Sequence, residues 1–214
     1  MRDGLPRLVL VDGLPGSGKT TTAERMCRRL RSRGIDAAWA AETAPDHPVF
    51  PRGFAKSRRE PEFPQQCLDA WAAFVDTIGT RTWVLDGAAF QSTVRFFYDE
   101  RVPYDEIFAY WRAFETIVMP LRPTIFYLRD DNPADRMRTI TIPVRGRAWY
   151  DKVSNYVART PAGREFRHLG VEGFIAFWVR YGELCESLLA QTRLDVASSP
   201  LGLAPEPALV SDDA

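Results

Sequence analysis

Apolar residues run unbroken from Leu8 to Val11, give way to a glycine-rich stretch, and return at Ala23, Met26, Cys27 and Leu30 with helical spacing. Arg25, Arg28, Arg29 and Arg31 fill the opposite side, and Gly34 ends the pattern in a C-cap position. The same alternation continues along the chain. Ile35 to Ala41, Thr82 to Leu85, Thr124 to Leu128 and Arg193 to Ala197 read as four further strands. Between them, Leu68, Trp71, Ala72, Val75 and Ile78 predict one helix face, closed by Gly79. Ile107, Tyr110, Trp111, Phe114, Ile117 and Val118 predict a helix over Tyr104 to Val118. The strongest amphipathic pattern, Phe174, Phe177, Trp178, Tyr181, Leu184, Cys185 and Leu188, predicts a helix over Val171 to Leu189. Asn132-Pro133-Ala134-Asp135 opens a short helix by capping logic, with proline in its first turn. Aromatic residues at this spacing form a core, not a base-stacking surface.

Strands that alternate with helices imply a parallel sheet covered on both faces, here a three-layer α/β/α fold with a five-stranded parallel sheet. The segment Thr43 to Gln65 carries Pro45, Pro48, Pro51, Pro61 and Pro64, which exclude a regular helix or an interior strand. A loop of that length in a compact domain is usually functional. The predicted domain covers residues 1–197. Residues 198–214, with Pro200, Pro205, Pro207 and a terminal acidic pair, are expected to form a disordered tail.

The first strand runs into Gly13-Leu14-Pro15-Gly16-Ser17-Gly18-Lys19-Thr20, and a helix pattern follows at once. Strand, G-x-x-x-x-G-K-[ST] loop and helix, in that order, make a phosphate-binding loop. Gly13, Gly16, Ser17, Gly18, Thr20 and Thr21 would cradle phosphates with backbone N–H groups and the helix N-terminus. Lys19 would reach the β- and γ-phosphates, and the Thr20 hydroxyl would bind Mg²⁺.

Composition narrows the class. The 214 residues hold 28 basic and 28 acidic side chains, a formal net charge of +0, so no global field recruits nucleic acid or an anionic membrane. The three cysteines, Cys27, Cys67 and Cys185, lie far apart within helical patterns and read as small buried hydrophobes, which implies a reducing, cytoplasmic setting. No signal-like or membrane-spanning apolar run is expected, and the reading allows a homodimer.

In a parallel sheet of this kind ligands sit beyond the carboxyl ends of the strands, and that rule selects the loop, Glu42 and Asp86 together. Asp86 would hold metal or position the acceptor, and Glu42 would take a proton from an acceptor hydroxyl. His47 and Gln91 are candidate acceptor contacts. Arg129, Arg136, Arg138, Arg145 and Arg147 mark an arginine-rich lid, with Arg145 and Arg147, on either side of Gly146, expected to close over the phosphates.

Through these residues the chain resembles the P-loop kinase superfamily, in the branch that holds thymidylate kinases and deoxynucleoside kinases. The resemblance spans roughly residues 7 to 197: an acid after the second strand, an acid after the third, and a lid rich in arginine after the fourth. It implies ATP and Mg²⁺ as cofactors and a small-molecule acceptor, a hydroxyl in preference to a phosphate. Deoxynucleoside kinases carry a base glutamate where Glu42 stands. Both subfamilies place an arginine after the acid of the third strand, and here that position is Gly87, which weakens nucleoside and nucleotide acceptors. The stretches Glu42 to Pro48 and Asp86 to Gln91 also look similar to bacterial P-loop proteins whose substrate the resemblance does not supply.

A regulatory GTPase would read guanine with Asn-Lys-x-Asp, and Pro133 replaces the lysine. A motor ATPase would add a second acid after Asp86, where Gly87 stands. A nucleotide-dependent binding or regulatory protein, or an NTPase without an acceptor, is the alternative to a kinase.

Overall fold

The structure is a computed structural model that describes residues 6–200. Five parallel strands lie in the order β2-β3-β1-β4-β5: β1 (Leu8–Gly13), β2 (Ala37–Ala40), β3 (Thr82–Asp86), β4 (Thr124–Arg129) and β5 (Asp195–Pro200). β1 is buried along its whole length because it has a strand on each side and helices on each face. Its alternate side chains sort into two layers. Val9 and Val11 meet Ala23, Met26, Cys27 and Leu30 of helix α1 (Lys19–Ser32). Leu8 and Leu10 meet the larger core on the other face, built by α2 (Phe63–Thr77), α4 (Tyr104–Val118) and α7 (Gly170–Leu189). Helices therefore cover both faces of a parallel sheet, a three-layer α/β/α fold.

Aromatic side chains fill the larger layer. Trp71 and Trp111 are fully buried, Trp71 lies 5.0 Å from Phe114, and Trp111 stacks on Phe90 at 4.7 Å. Such ring pairs contribute about 0.5–1.5 kcal/mol beyond the area they bury. Charged groups join this layer as well, Glu115 among them. The carboxylate of Glu115, on α4, accepts from the Thr192 hydroxyl and from the backbone and guanidinium of Arg193, tying α4 to the turn before β5.

The observed elements depart from the periodicity in four places. α2 starts at Phe63, inside the proline-rich segment, because Pro64 sits in its first turn where a missing N–H costs nothing. Its buried face is Phe63, Cys67, Trp71 and Phe74, while Ala72 and Val75 are only partly covered. Between Asp86 and Tyr104, where the pattern predicts nothing, a π-turn (Phe90–Val94) leads into α3 (Arg95–Asp99). The lid is helical: α5 (Pro133–Arg136), a π-turn (Met137–Thr141) and α6 (Ile142–Val157), with a break at Gly146, whose φ is 80° and ψ 169°. Finally, β5 reaches Pro200, so Ser198 to Pro200 belong to the sheet and not to a tail. The rest of the expected tail, 201–214, lies outside the described residues. The three cysteines are buried and unpaired, and no helix among the described residues is long and apolar enough to cross a membrane.

Candidate functional site

β1 delivers the chain into the loop with Gly13 paired against Leu128 of β4. Gly16 then takes a positive φ of 82° and passes so close to Thr141 that a Cβ there would lie 2.3 Å from its Oγ1. Only glycine fits that approach. The loop closes with Ser17 N–H donating to the Leu14 carbonyl at 3.1 Å, and α1 begins at Lys19 with its N-terminus at the loop. Lys19 is buried, and its Nζ donates to the carbonyls of Gly13 at 3.0 Å and Leu14 at 3.2 Å. Thr20 and Thr21 follow in the first turn of α1 with exposed side chains.

Parallel pairing of β3 beside β1, with Val11 opposite Asp86, carries Asp86 to the rim of the loop. Thr20 Oγ1 donates to Asp86 Oδ2 at 2.5 Å, while Asp86 Oδ1 is buried with no partner. Desolvation raises the Asp86 carboxyl above the ordinary carboxylate range, against the pull of Thr20 and Lys19. Beneath it, at the end of β1, Asp12 is fully buried and accepts from the Ala89 N–H at 3.3 Å. Burial pushes its carboxyl well above the ordinary range too, with Lys19 acting in the opposite direction.

Glu42 follows β2 and sits against Gly87. The φ of Gly87 is 66°, and a Cβ on it would lie 3.1 Å from Glu42 Oε2 and 3.3 Å from Gln91 Cβ. Glu42 is exposed at the mouth of the site, yet protein surrounds it closely enough that desolvation raises its pKa, opposed by Lys19, Arg95 and Arg145. Gln91 is buried beside it and donates through Nε2 to the Gly13 carbonyl at 3.4 Å.

These groups share one cavity of about 430 Å³. Lys19 and Thr20 form one wall, Glu42, Asp86 and Gln91 the next, and α3 and α6 the remainder through Arg95, Arg145, Trp149, Lys152, Val153 and Tyr156. A smaller cavity of about 250 Å³ adjoins it across Glu42, Thr43 and Gln91, with Phe50, Phe54 and Phe96 in its walls.

The five lid arginines separate cleanly. Arg145 lines the cavity, stacks over Trp149 at 5.8 Å and works against the burial that raises the carboxyls of Glu42 and Asp86. Arg147, two residues on but across the break at Gly146, is 84% exposed and pairs with Asp151 at 2.8 Å. It does not line the cavity. Arg129 pairs with Glu186 and Arg138 with Glu172, while Arg136 donates to the Gly16 carbonyl at 3.1 Å and clamps the loop from outside. His47 is also turned away: it is buried, and its Nδ1 accepts from Val49 N–H at 3.2 Å and Phe50 N–H at 3.0 Å. It organises the proline-rich loop and lies outside both cavities.

The residue pattern does not single out Arg95, Trp149, Lys152, Val153 or Tyr156. The signal for the last four was present as Trp149-x-x-Lys152-Val153-x-x-Tyr156, one helical stripe, hidden by Pro143 and Gly146 just upstream. Arg95 carried none, because a π-turn shifts the phase of the helix that presents it.

Among the described residues no group of three His, Cys, Asp or Glu side chains could hold a metal by itself. Thr20 and Asp86 do offer a hydroxyl and a carboxylate in contact, with Oδ1 of Asp86 unsatisfied, a hard-oxygen pair suited to Mg²⁺ completed by phosphate oxygens and water.

No family model and no curated protein matches the chain. Among solved structures it is similar to the YorR protein of Bacillus subtilis in complex with phosphorylated GDP, at 16% identity over 91% of this chain and 86% of that one, TM-score 0.48. It is also similar to the Mycobacterium tuberculosis APS kinase CysC in complex with AMPPNP and APS, at 13% identity over 68% of this chain and 75% of that one, TM-score 0.35. At these scores neither likeness bears on chemistry.

Proposed function

We propose that this chain is an ATP-dependent kinase that transfers the γ-phosphate to the hydroxyl of a small molecule. The observation that carries the reading is the single cavity of about 430 Å³ in which the phosphate-loop residues Lys19 and Thr20 face Glu42, with Asp86 between them. A ligand-free loop would need no acid-lined chamber beside it.

The residues divide the work by position. Lys19 leaves the loop carbonyls it now satisfies and neutralises charge on the β- and γ-phosphates, and Arg145 covers them from α6. Thr20 and Asp86 would hold Mg²⁺, which supplies charge neutralisation of the triphosphate when bound. That contact supports metal binding for Asp86 and leaves the proton to Glu42. As the acceptor oxygen bonds to the γ-phosphorus and the bond to the β,γ-bridging oxygen breaks, Glu42 takes the hydroxyl proton and ADP departs. Its raised pKa makes Glu42 a stronger base than a solvated carboxylate. Gln91, tethered to the loop carbonyl, orients the acceptor.

The test is transfer of labelled γ-phosphate from Mg-ATP to a panel of nucleosides, sugars, amino alcohols and hydroxyl-bearing antibiotics. Transfer should vanish in Lys19→Ala and fall about 10²-fold or more in Arg145→Ala, as for other lost transition-state donors, while Arg147→Ala stays within about twofold. Transfer that survives Lys19→Ala refutes the reading. Label released only as free phosphate refutes it in favour of a nucleotide-dependent binding protein or NTPase.

A further inference from the structure

Resting on the kinase reading, the α3 and α6 wall of the same cavity says what kind of acceptor enters. The end near the loop carries two carboxylates, Glu42 and Asp86, and the transfer chemistry uses both. The wall built by α3 and α6 is cationic and aromatic, and its Arg95 and Arg145 act on the Glu42 charge. Arg95 comes from α3, and Lys152 from α6 on the stripe that also presents Trp149 and Tyr156.

Arg95 is held rigidly. Its side chain is 13% exposed, Nη1 donates to Asp99 Oδ2 at 2.5 Å and lies 3.4 Å from Tyr156 Oη, and the guanidinium stacks on Phe96 at 4.4 Å and on Tyr156 at 5.2 Å. Asp99 is itself buried and accepts from the Tyr156 hydroxyl at 2.6 Å. The pair fixes the plane of the guanidinium but engages only one of its nitrogens. Among the described residues Nε and Nη2 have no hydrogen-bond partner and neither is a sealed atom, and Arg95 lines the cavity. Among the described residues the Lys152 side chain has no ion pair or hydrogen bond. A guanidinium with donors left over and an ammonium without an ion pair among the described residues, lining one cavity with an indole and a phenol, together suit a planar body that carries an anionic group.

We infer that Arg95 and Lys152 form an anion subsite for the acceptor, and that the acceptor is a hydroxyl compound with a flat, largely apolar body bearing a carboxylate or phosphoryl group. The anion would sit on the Arg95 fork and Lys152, the flat body against Trp149 and Tyr156, and the reacting hydroxyl at Glu42.

The subsite can be tested by binding, without knowing the natural acceptor. Full-length protein would be titrated calorimetrically with 4-hydroxyphenylacetate, 4-hydroxybenzylphosphonate and the neutral 4-hydroxybenzyl alcohol. The variants are Lys152→Ala, Arg95→Lys, which keeps the charge facing Asp99 but removes the fork, and the exposed Arg147→Ala as control. At least one anionic probe should bind about tenfold or more tightly than the alcohol, as charge-assisted bonds require. That preference should shrink at least about fivefold in Lys152→Ala and in Arg95→Lys, and persist in Arg147→Ala. The better of carboxylate and phosphonate identifies the group. Equal affinity for the alcohol, no binding by either anion, or a preference that both cavity variants retain overturns the inference. Mg-ATP titrated into the same proteins separates the two claims: failure to bind nucleotide counts against the kinase reading, and loss of anion preference with intact nucleotide binding counts against the subsite alone.

Discussion

His47 makes the proline-rich loop sensitive to acid. Its Nδ1 is the acceptor for two backbone N–H groups, so the ring is neutral with its proton on Nε2, and Nε2 is buried without a partner. Burial lowers its pKa from the ordinary 6.5 to about 4, with Asp46 pulling weakly the other way. The unfolded chain therefore takes up a proton as the pH falls below 6.5, while the folded chain resists until about 4. The group's contribution to stability is complete above pH 6.5 and is lost progressively toward pH 4. At about 1.36 kcal/mol for each tenfold change, the full loss comes to about 3 kcal/mol, of which about 2.5 kcal/mol has gone by pH 4.5. The raised carboxyls Asp12, Asp86 and Glu42 act in the opposite sense, so the comparison must be with a variant and not with the wild-type slope alone. His47→Asn keeps an acceptor near Nδ1 and cannot titrate. Urea denaturation at intervals from pH 7.5 to 4.5 should show His47→Asn less stable than wild type at the upper end and catching up by about 2.5 kcal/mol at the lower. Two parallel curves, agreeing within about 0.5 kcal/mol at every pH, would refute the argument that burial holds this ring neutral.

Two further predictions concern packing and charge. Gly16→Ala drives a Cβ into the Thr141 side chain at a positive φ, and should destabilise the fold by about 1–3 kcal/mol and weaken Mg-ATP binding; an unchanged denaturation midpoint contradicts it. Burial alone would raise the Glu115 carboxyl, but its bonds from Thr192, Arg193 and Arg112 prevail and lower it, so its stabilisation is present above the ordinary 4.5 and lost as the pH falls through the depressed folded value. Glu115→Gln should cost about 1–3 kcal/mol at pH 7 and abolish that acid-side loss, and a variant with the wild-type profile below pH 4.5 would remove the carboxylate from the account.

The sheet and most helices were legible because burial on both faces leaves continuous apolar runs, and α4 matches its predicted span residue for residue. The end-of-strand rule brought Glu42, Asp86 and the loop to one cavity, and Gln91 with them. The lid could not be read so far, since arginine content says nothing of direction. Arg145 and Arg147 are equivalent in composition, and only the backbone angles at Gly146 send one inward and the other to solvent. His47 and Arg95 exchange roles for a related reason. A histidine among prolines suggests a contact residue until its ring is seen accepting from its own loop, and an arginine in a phase-shifted helix suggests nothing until it is seen in the cavity wall.

The crowding at Gly87 bears on the order in which changes can accumulate. A side chain at 87 would occupy a left-handed conformation and push on both Glu42 and Gln91. The substitution and the present pose of Glu42 compete for one volume, so their effects cannot add. A substitution at 87 therefore becomes easier to accept once the Glu42 carboxylate and Gln91 have shifted to give it room. One missing Cβ thus ties the choice of residue at 87 to the positions of the two side chains beside it.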